Sequence, residues 1–186
     1  MVAWSQLILP ILLSGVLVFV VSSVMHTVLK YHHSDMKKLD NEDEVRAAIR
    51  KGNATAGMYF IPYCSDHKAM KTPEHMRKLE EGPLGMLVLR TPGPIKMGPF
   101  LAQWMAYVLV VSALAAYVAR STLHSGDSYL AVFRVVGASA WLAYSWQAPS
   151  DSIWKGQPWS ATYKVLFDGL VYASVTAGAF GWLWPR

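Results

Sequence analysis

Four long apolar runs decide what this chain can fold into. Leu7 to Met25 is 19 residues without a charge, interrupted only by Ser14, Ser22 and Ser23. Phe100–Ala119, Tyr129–Trp146 and Val165–Trp184 repeat the pattern over 18 to 20 residues each. A helix needs about 20 apolar residues to cross about 30 Å of hydrocarbon, and only helices or closed barrels satisfy their backbone groups in lipid. These runs are continuous rather than alternating, so they read as helices. The expected fold is an all-α integral membrane protein with four transmembrane helices.

Apart from Arg134 and Asp168, charge lies outside the runs. Residues 28–98 hold twelve of the seventeen Lys and Arg and nine of the twelve acids. The organisation expected is therefore residues 1–27 as the first transmembrane helix, 28–98 as a small α/β insertion between helices 1 and 2, and 99–186 as three further spans, at about 99–119, 129–147 and 163–184. The insertion is close to the lower size limit for a self-supporting core and is expected to lean on a membrane surface or a partner. Within it, Asn41 and Glu44 have capping-box spacing ahead of a helix that Gly52 ends. Thr72-Pro73-Glu74 opens a second helix, which stops at Gly82. Met58–Ile61 and Met86–Leu89 are short apolar runs that read as an antiparallel strand pair.

Orientation follows from where the basic residues fall. No Lys or Arg precedes the first run, whereas Lys30, Lys37, Lys38, Arg46, Arg90 and Lys96 lie near the membrane ends of the insertion. Residues 147–164 carry Lys155 and Lys164, against Arg120 in the intervening turn and Arg186 at the end. The positive-inside rule then puts both termini outside and residues 28–98 in the cytoplasm, as expected of a multi-pass protein of a bacterial inner membrane. Residues 1–25 lack the positive n-region of a signal peptide, and their apolar run is too long for an h-region. The single cysteine, Cys64, gives no internal disulfide and fits a reduced compartment. No basic tract of five residues exists and charges in the insertion nearly cancel, so nucleic acid is excluded as a partner. The lipid bilayer is the partner for the net positive charge.

Two features stand out inside the last two runs. Gly169, Ala173, Ala177 and Gly181 recur every four residues and form a small-residue stripe that lets helix backbones approach closely. That seam is expected to pack against another span, a second copy of the chain or another membrane protein. The runs also carry two intramembrane charges, Arg134 and Asp168. An acid in a span is a candidate functional group, although Asp168 lies near a helix start, where negative charge is favoured. Arg134 enters from the opposite face and is expected to snorkel outward rather than pair with Asp168.

Metal-competent side chains gather at one membrane boundary: His26 in the last turn of the first span, His32, His33 and Asp35 just beyond it, and Asp168 at a similar depth. Such a set could hold a divalent metal or relay protons, and Asp168 is expected within about 6 Å of His26, the reach of one bridging water. Gln147 and Asp151 fall at the same depth. Cys64, His67 and His75 form a weaker set without a paired CxxC. No phosphate loop, HExxH or nucleophile elbow is present.

The run Pro149-Ser150-Asp151-Ser152-Ile153-Trp154-Lys155-Gly156-Gln157-Pro158-Trp159-Ser160, with Phe167-Asp168-Gly169, Gly181-Trp182-Leu183-Trp184-Pro185 and His32-His33-Ser34-Asp35, resembles a family of small four-span bacterial inner-membrane proteins. The resemblance implies four spans in that membrane and no activity. Three functional classes follow from the residues: an accessory subunit packing in a larger membrane complex through the glycine–alanine seam, an interfacial metal-binding enzyme using His26, His32, His33, Asp35 and Asp168, or a small oligomeric transporter.

Overall fold

A computed structural model describes residues 2–186. The chain is mostly helical, and its described residues divide into two compact units: residues 2–36, 96–152 and 157–186, and residues 37–95 with 153–156. The first unit is a helical bundle built from α1 (Trp4–Thr27), α4 (Met97–Thr122), α5 (Tyr129–Ser145) and α7 (Trp159–Leu183). The second holds α2 (Glu42–Lys51), β1 (Gly57–Ile61), α3 (Pro73–Glu81) and β2 (Gly85–Leu89). A further helix, α6, spans Ala148–Lys155.

Three helices, α1, α4 and α7, are long and apolar enough to cross a membrane. α5 is shorter, at 17 residues, or about 25 Å at 1.5 Å per residue. It ends at Ser145 because Trp146 and Gln147 turn the chain into α6. Pro149 in the first turn of α6 and Gly156, at φ 73° just beyond its end, are helix start and stop signals.

Each bundle helix packs against two others, α1 on α4 and α7, and α5 on α4 and α7. Neighbours run antiparallel. Trp104 near the start of α4 donates its indole N–H to Ser22 near the end of α1, at 2.8 Å. Tyr107 donates to the Ala143 carbonyl of α5, at 3.0 Å. Trp141 of α5 donates to the Leu166 carbonyl of α7, at 3.0 Å.

Burial shows why α1 is placed as it is. Its inward positions, Leu7, Pro10, Ser14, Val18, Ser22 and Met25, recur at three- and four-residue spacing, and the face opposite carries exposed Ile8, Leu12, Val16, Val20 and Val24. In water that outer face would lose the hydrophobic contribution of its whole area. A helix apolar all round belongs in lipid.

The small-residue stripe of α7 is consumed within the chain. A methyl group on Gly169 would fall inside the van der Waals shell of Ser145, one on Gly181 would lie 2.6 Å from the Tyr129 ring, and Gly137 of α5 faces Ala177. The seam is thus the α5–α7 contact, closed by residues at matching heights on both helices.

The second unit is held differently. β1 and β2 pair antiparallel with Gly57 opposite Leu89 and Ile61 opposite Gly85. The Thr72 hydroxyl accepts from the His75 amide at the start of α3, where Pro73 is the first helical residue, and Gly82 at φ 61° ends it. No residue between 37 and 95 is fully buried. A two-stranded sheet with so little core is marginal alone.

Candidate metal centre

The site forms where the end of α1, the turn after it and the first half of α7 meet, all within the bundle unit. After Thr27 the chain does not leave the bundle; Lys30–Asp35 winds into a 3-10 turn. Side chains three residues apart eclipse in such a turn, so His32 and Asp35 point the same way, and Nδ1 of His32 lies 2.8 Å from Oδ2 of Asp35. On α7, Lys164, Asp168 and Tyr172 recur every four residues and share a face.

Lys164 fastens the turn to α7. Its ammonium donates to the Tyr31 carbonyl and the Ser34 hydroxyl, both at 2.7 Å, and to Asp35. Asp168, 5% exposed, receives the rest of the network. Tyr31 donates its hydroxyl to Oδ1. His32 Nε2 lies 2.8 Å from Oδ2, and His26 Nε2 3.8 Å from the same oxygen, inside the reach expected of that pair. The two imidazoles stack at 4.7 Å with an interplanar angle of 11°.

Hydrogen bonding assigns roles to the ring nitrogens. His26 Nδ1 sits 3.0 Å from the Ser22 carbonyl, which can only accept. Nδ1 therefore carries a proton, and Nε2 faces Asp168, as a donor in an imidazolium and as a lone pair in the neutral ring. His32 has carboxylate oxygens at both nitrogens. An imidazolium satisfies both; a neutral ring protonated at Nδ1 satisfies Asp35 and turns its Nε2 lone pair toward Asp168.

Electrostatics favours an ionised Asp35. The hydrogen bonds from Lys164 and His32 hold its carboxyl below the usual carboxylate range. Burial, then the hydrogen bond to Asp168 and the charge there, pushes the Tyr31 phenol far above its ordinary value, which keeps it a donor. Tyr31 occupies Oδ1 and leaves Oδ2 as the oxygen that both histidines approach.

One ligand atom from each of His26, His32 and Asp168 lies within 4.8 Å of the other two. Zinc bonds of about 2.0–2.2 Å would put tetrahedral neighbours about 3.3 Å apart, so rotations of about an ångström complete the set. Two outer contacts already have the form that metal-bound histidines use: Nδ1 on a backbone carbonyl for His26 and Nδ1 on a carboxylate for His32.

Other candidates lie elsewhere. His33 is exposed and outside the cluster. Gln147 and Asp151 are not part of it. Ser145 donates to the Trp141 carbonyl, not to Asp168. Arg134 is exposed on α5, and among the described residues no ion pair joins it to Asp168. Cys64 donates to the Asp66 carbonyl, and no metal-ligating group gathers around it among the described residues.

Comparison with known protein families, curated proteins and solved structures finds no match. The chemistry of the site rests on its own geometry.

Proposed function

We propose that this chain is a four-span bacterial inner-membrane protein that binds one divalent transition-metal ion through His26, His32 and Asp168 and uses it in an enzymatic site. α5 serves as the remaining span, since it packs along α7 and α4 beside helices long enough to cross. The distribution of Lys and Arg supports termini outside and residues 28–98 inside. Metal binding is carried by one observation: each histidine has its Nδ1 held by an acceptor, so that both Nε2 atoms converge on Asp168. Two imidazoles and a carboxylate suit zinc in its three-ligand form or iron(II), and three protein ligands leave a position open for water or substrate.

The accessory-subunit reading drew on the Gly169–Gly181 seam, which α5 already fills. A transport path through Arg134 and Asp168 draws on residues that do not face each other here. The geometry favours the metal centre over both.

Metal-stripped protein in detergent, dialysed against zinc or iron(II), tests the reading by metal analysis. One equivalent is expected for the native protein, and a large loss for His32→Gln or Asp168→Asn. Substoichiometric metal in the native protein, or metal retained in both variants, would overturn it.

A further inference from the structure

Of the three candidate ligands, His26 borders an apolar groove. Ser22, His26, Thr27, Met97, Leu101 and Trp104 line a cleft between the end of α1 and the start of α4, of about 340 Å³. That volume lies within the about 300–1,000 Å³ of small-ligand sites. The His26 side chain is 52% exposed, whereas that of His32 is 20% and that of Asp168 7%. Of the three, only His26 lines the groove.

The groove offers little other polar chemistry. Ser22 and Ser23 both donate to the Phe19 carbonyl, at 2.9 and 2.8 Å, and Thr27 donates to the Ser23 carbonyl at 2.7 Å. The Trp104 indole N–H is spent on Ser22. What remains is an apolar wall ending at the His26 imidazole. The wall is also continuous with surface that lipid must cover, because Val20, Val24, Leu101 and Met97 are all substantially exposed on the same helices. A water-soluble metabolite would have to lose its hydration shell to enter such a cleft; an acyl chain would not.

We propose that the substrate of the metal site is a bilayer lipid, entering sideways between α1 and α4 with its acyl chain along Leu101 and Trp104 and its oxygen-bearing head at His26 and the open metal position. This rests on the metal-site reading for the role of the head, but the groove is testable without it. The probe is a phosphatidylglycerol with a diazirine on one acyl chain, at a few per cent in phosphatidylcholine vesicles holding the full-length protein. After illumination, cross-links are mapped by mass spectrometry, and zinc content is measured on the same sample. Cross-links should concentrate on Met97–Trp104 and Ser22–Thr27. Leu101→Trp, which fills the groove, should lower them about tenfold with zinc content unchanged.

Cross-links spread evenly over the outer faces of α1, α4, α5 and α7, or unaltered by Leu101→Trp, would overturn the proposal and leave the metal reading standing. Cross-links confined to the groove in protein that binds no zinc would keep the lipid site and remove the metal. The native map decides even if the variant does not fold.

Discussion

The two ends of the bundle are built by the same helices and packed by opposite means. At one end the apolar side chains of Val2, Leu7, Val132, Val136, Phe180 and Trp184 form a core. At the other, Lys164, Asp35, His32, Asp168, Tyr31 and His26 touch through hydrogen bonds and charge. Between them lies a buried contact from Ser14 of α1 to Ser112 of α4, at 3.0 Å. An apolar end is stabilised by filled volume. A polar end in a low-dielectric setting is stabilised only while every donor keeps its acceptor, since an unpaired group there costs heavily. The first kind of packing tolerates no shrinkage; the second tolerates no change of hydrogen-bond identity.

The largest effect expected on stability is at the apolar end. Phe180, fully buried, should lose about 3–5 kcal/mol on replacement by alanine, read by thermal unfolding in detergent. Metal affinity, measured above the folded population, should stay unchanged. A loss of metal equal to that of a ligand variant would break the separation between the two ends.

At the polar end a substitution that conserves volume should suffice. Asp168→Asn keeps the size of the side chain but puts an N–H₂ group where Tyr31 and His32 need acceptors. One acceptor oxygen remains, so one of the two partners loses its acceptor; the change should cost about 1–3 kcal/mol and weaken metal binding by more than a hundredfold, measured by zinc competition. If Asn is tolerated on both counts, the carboxylate is not what holds this end together.

The α5–α7 seam sharpens the comparison within one helix. Gly169→Ala forces a methyl against the backbone-proximal atoms of Ser145 and should cost about 1–3 kcal/mol. Gly178→Ala meets only the Tyr129 hydroxyl at 3.7 Å, an ordinary contact, and the gain in helix propensity should make it neutral or stabilising by about 0.5–1 kcal/mol. Equal melting temperatures for the two variants would mean that the helices do not approach closely at Gly169.

The smallest effect is electrostatic. Because the folded-state value of Asp35 is depressed, its stabilising contribution is present above the ordinary value of 3.8 and is lost as pH falls through the lower folded value. Lys164→Met removes the largest cause. It should raise the Asp35 midpoint in a carboxyl carbon NMR titration and let residues 30–35 exchange faster. An unmoved midpoint would show that Lys164 does not clamp the turn.

The sequence made the helices readable because lipid imposes a length and a composition that nothing else shares. Counting residues from the membrane boundary was enough to bring His26 and Asp168 together, since rise per residue is fixed in a helix. The turn at 30–35 was harder. Adjacent residues there point about 120° apart, so His32 faces Asp168 while His33 faces away, and no periodicity in six residues says which. Tyr31 escaped notice for the same reason. Lys164 and Tyr172 were within reach: both lie one helical turn from Asp168 and share its face. The bundle unit runs on to Met36, and the clamp by Lys164 ties the turn at 30–35 to α7.

The metal centre itself is tested most directly by X-ray absorption at the zinc edge of the loaded, full-length protein in lipid. The geometry predicts two imidazole nitrogens with one or two carboxylate or water oxygens at about 2.0–2.2 Å, and one imidazole fewer in His26→Gln. A shell of oxygens without imidazole, or a spectrum that His26→Gln leaves unchanged, would contradict the account.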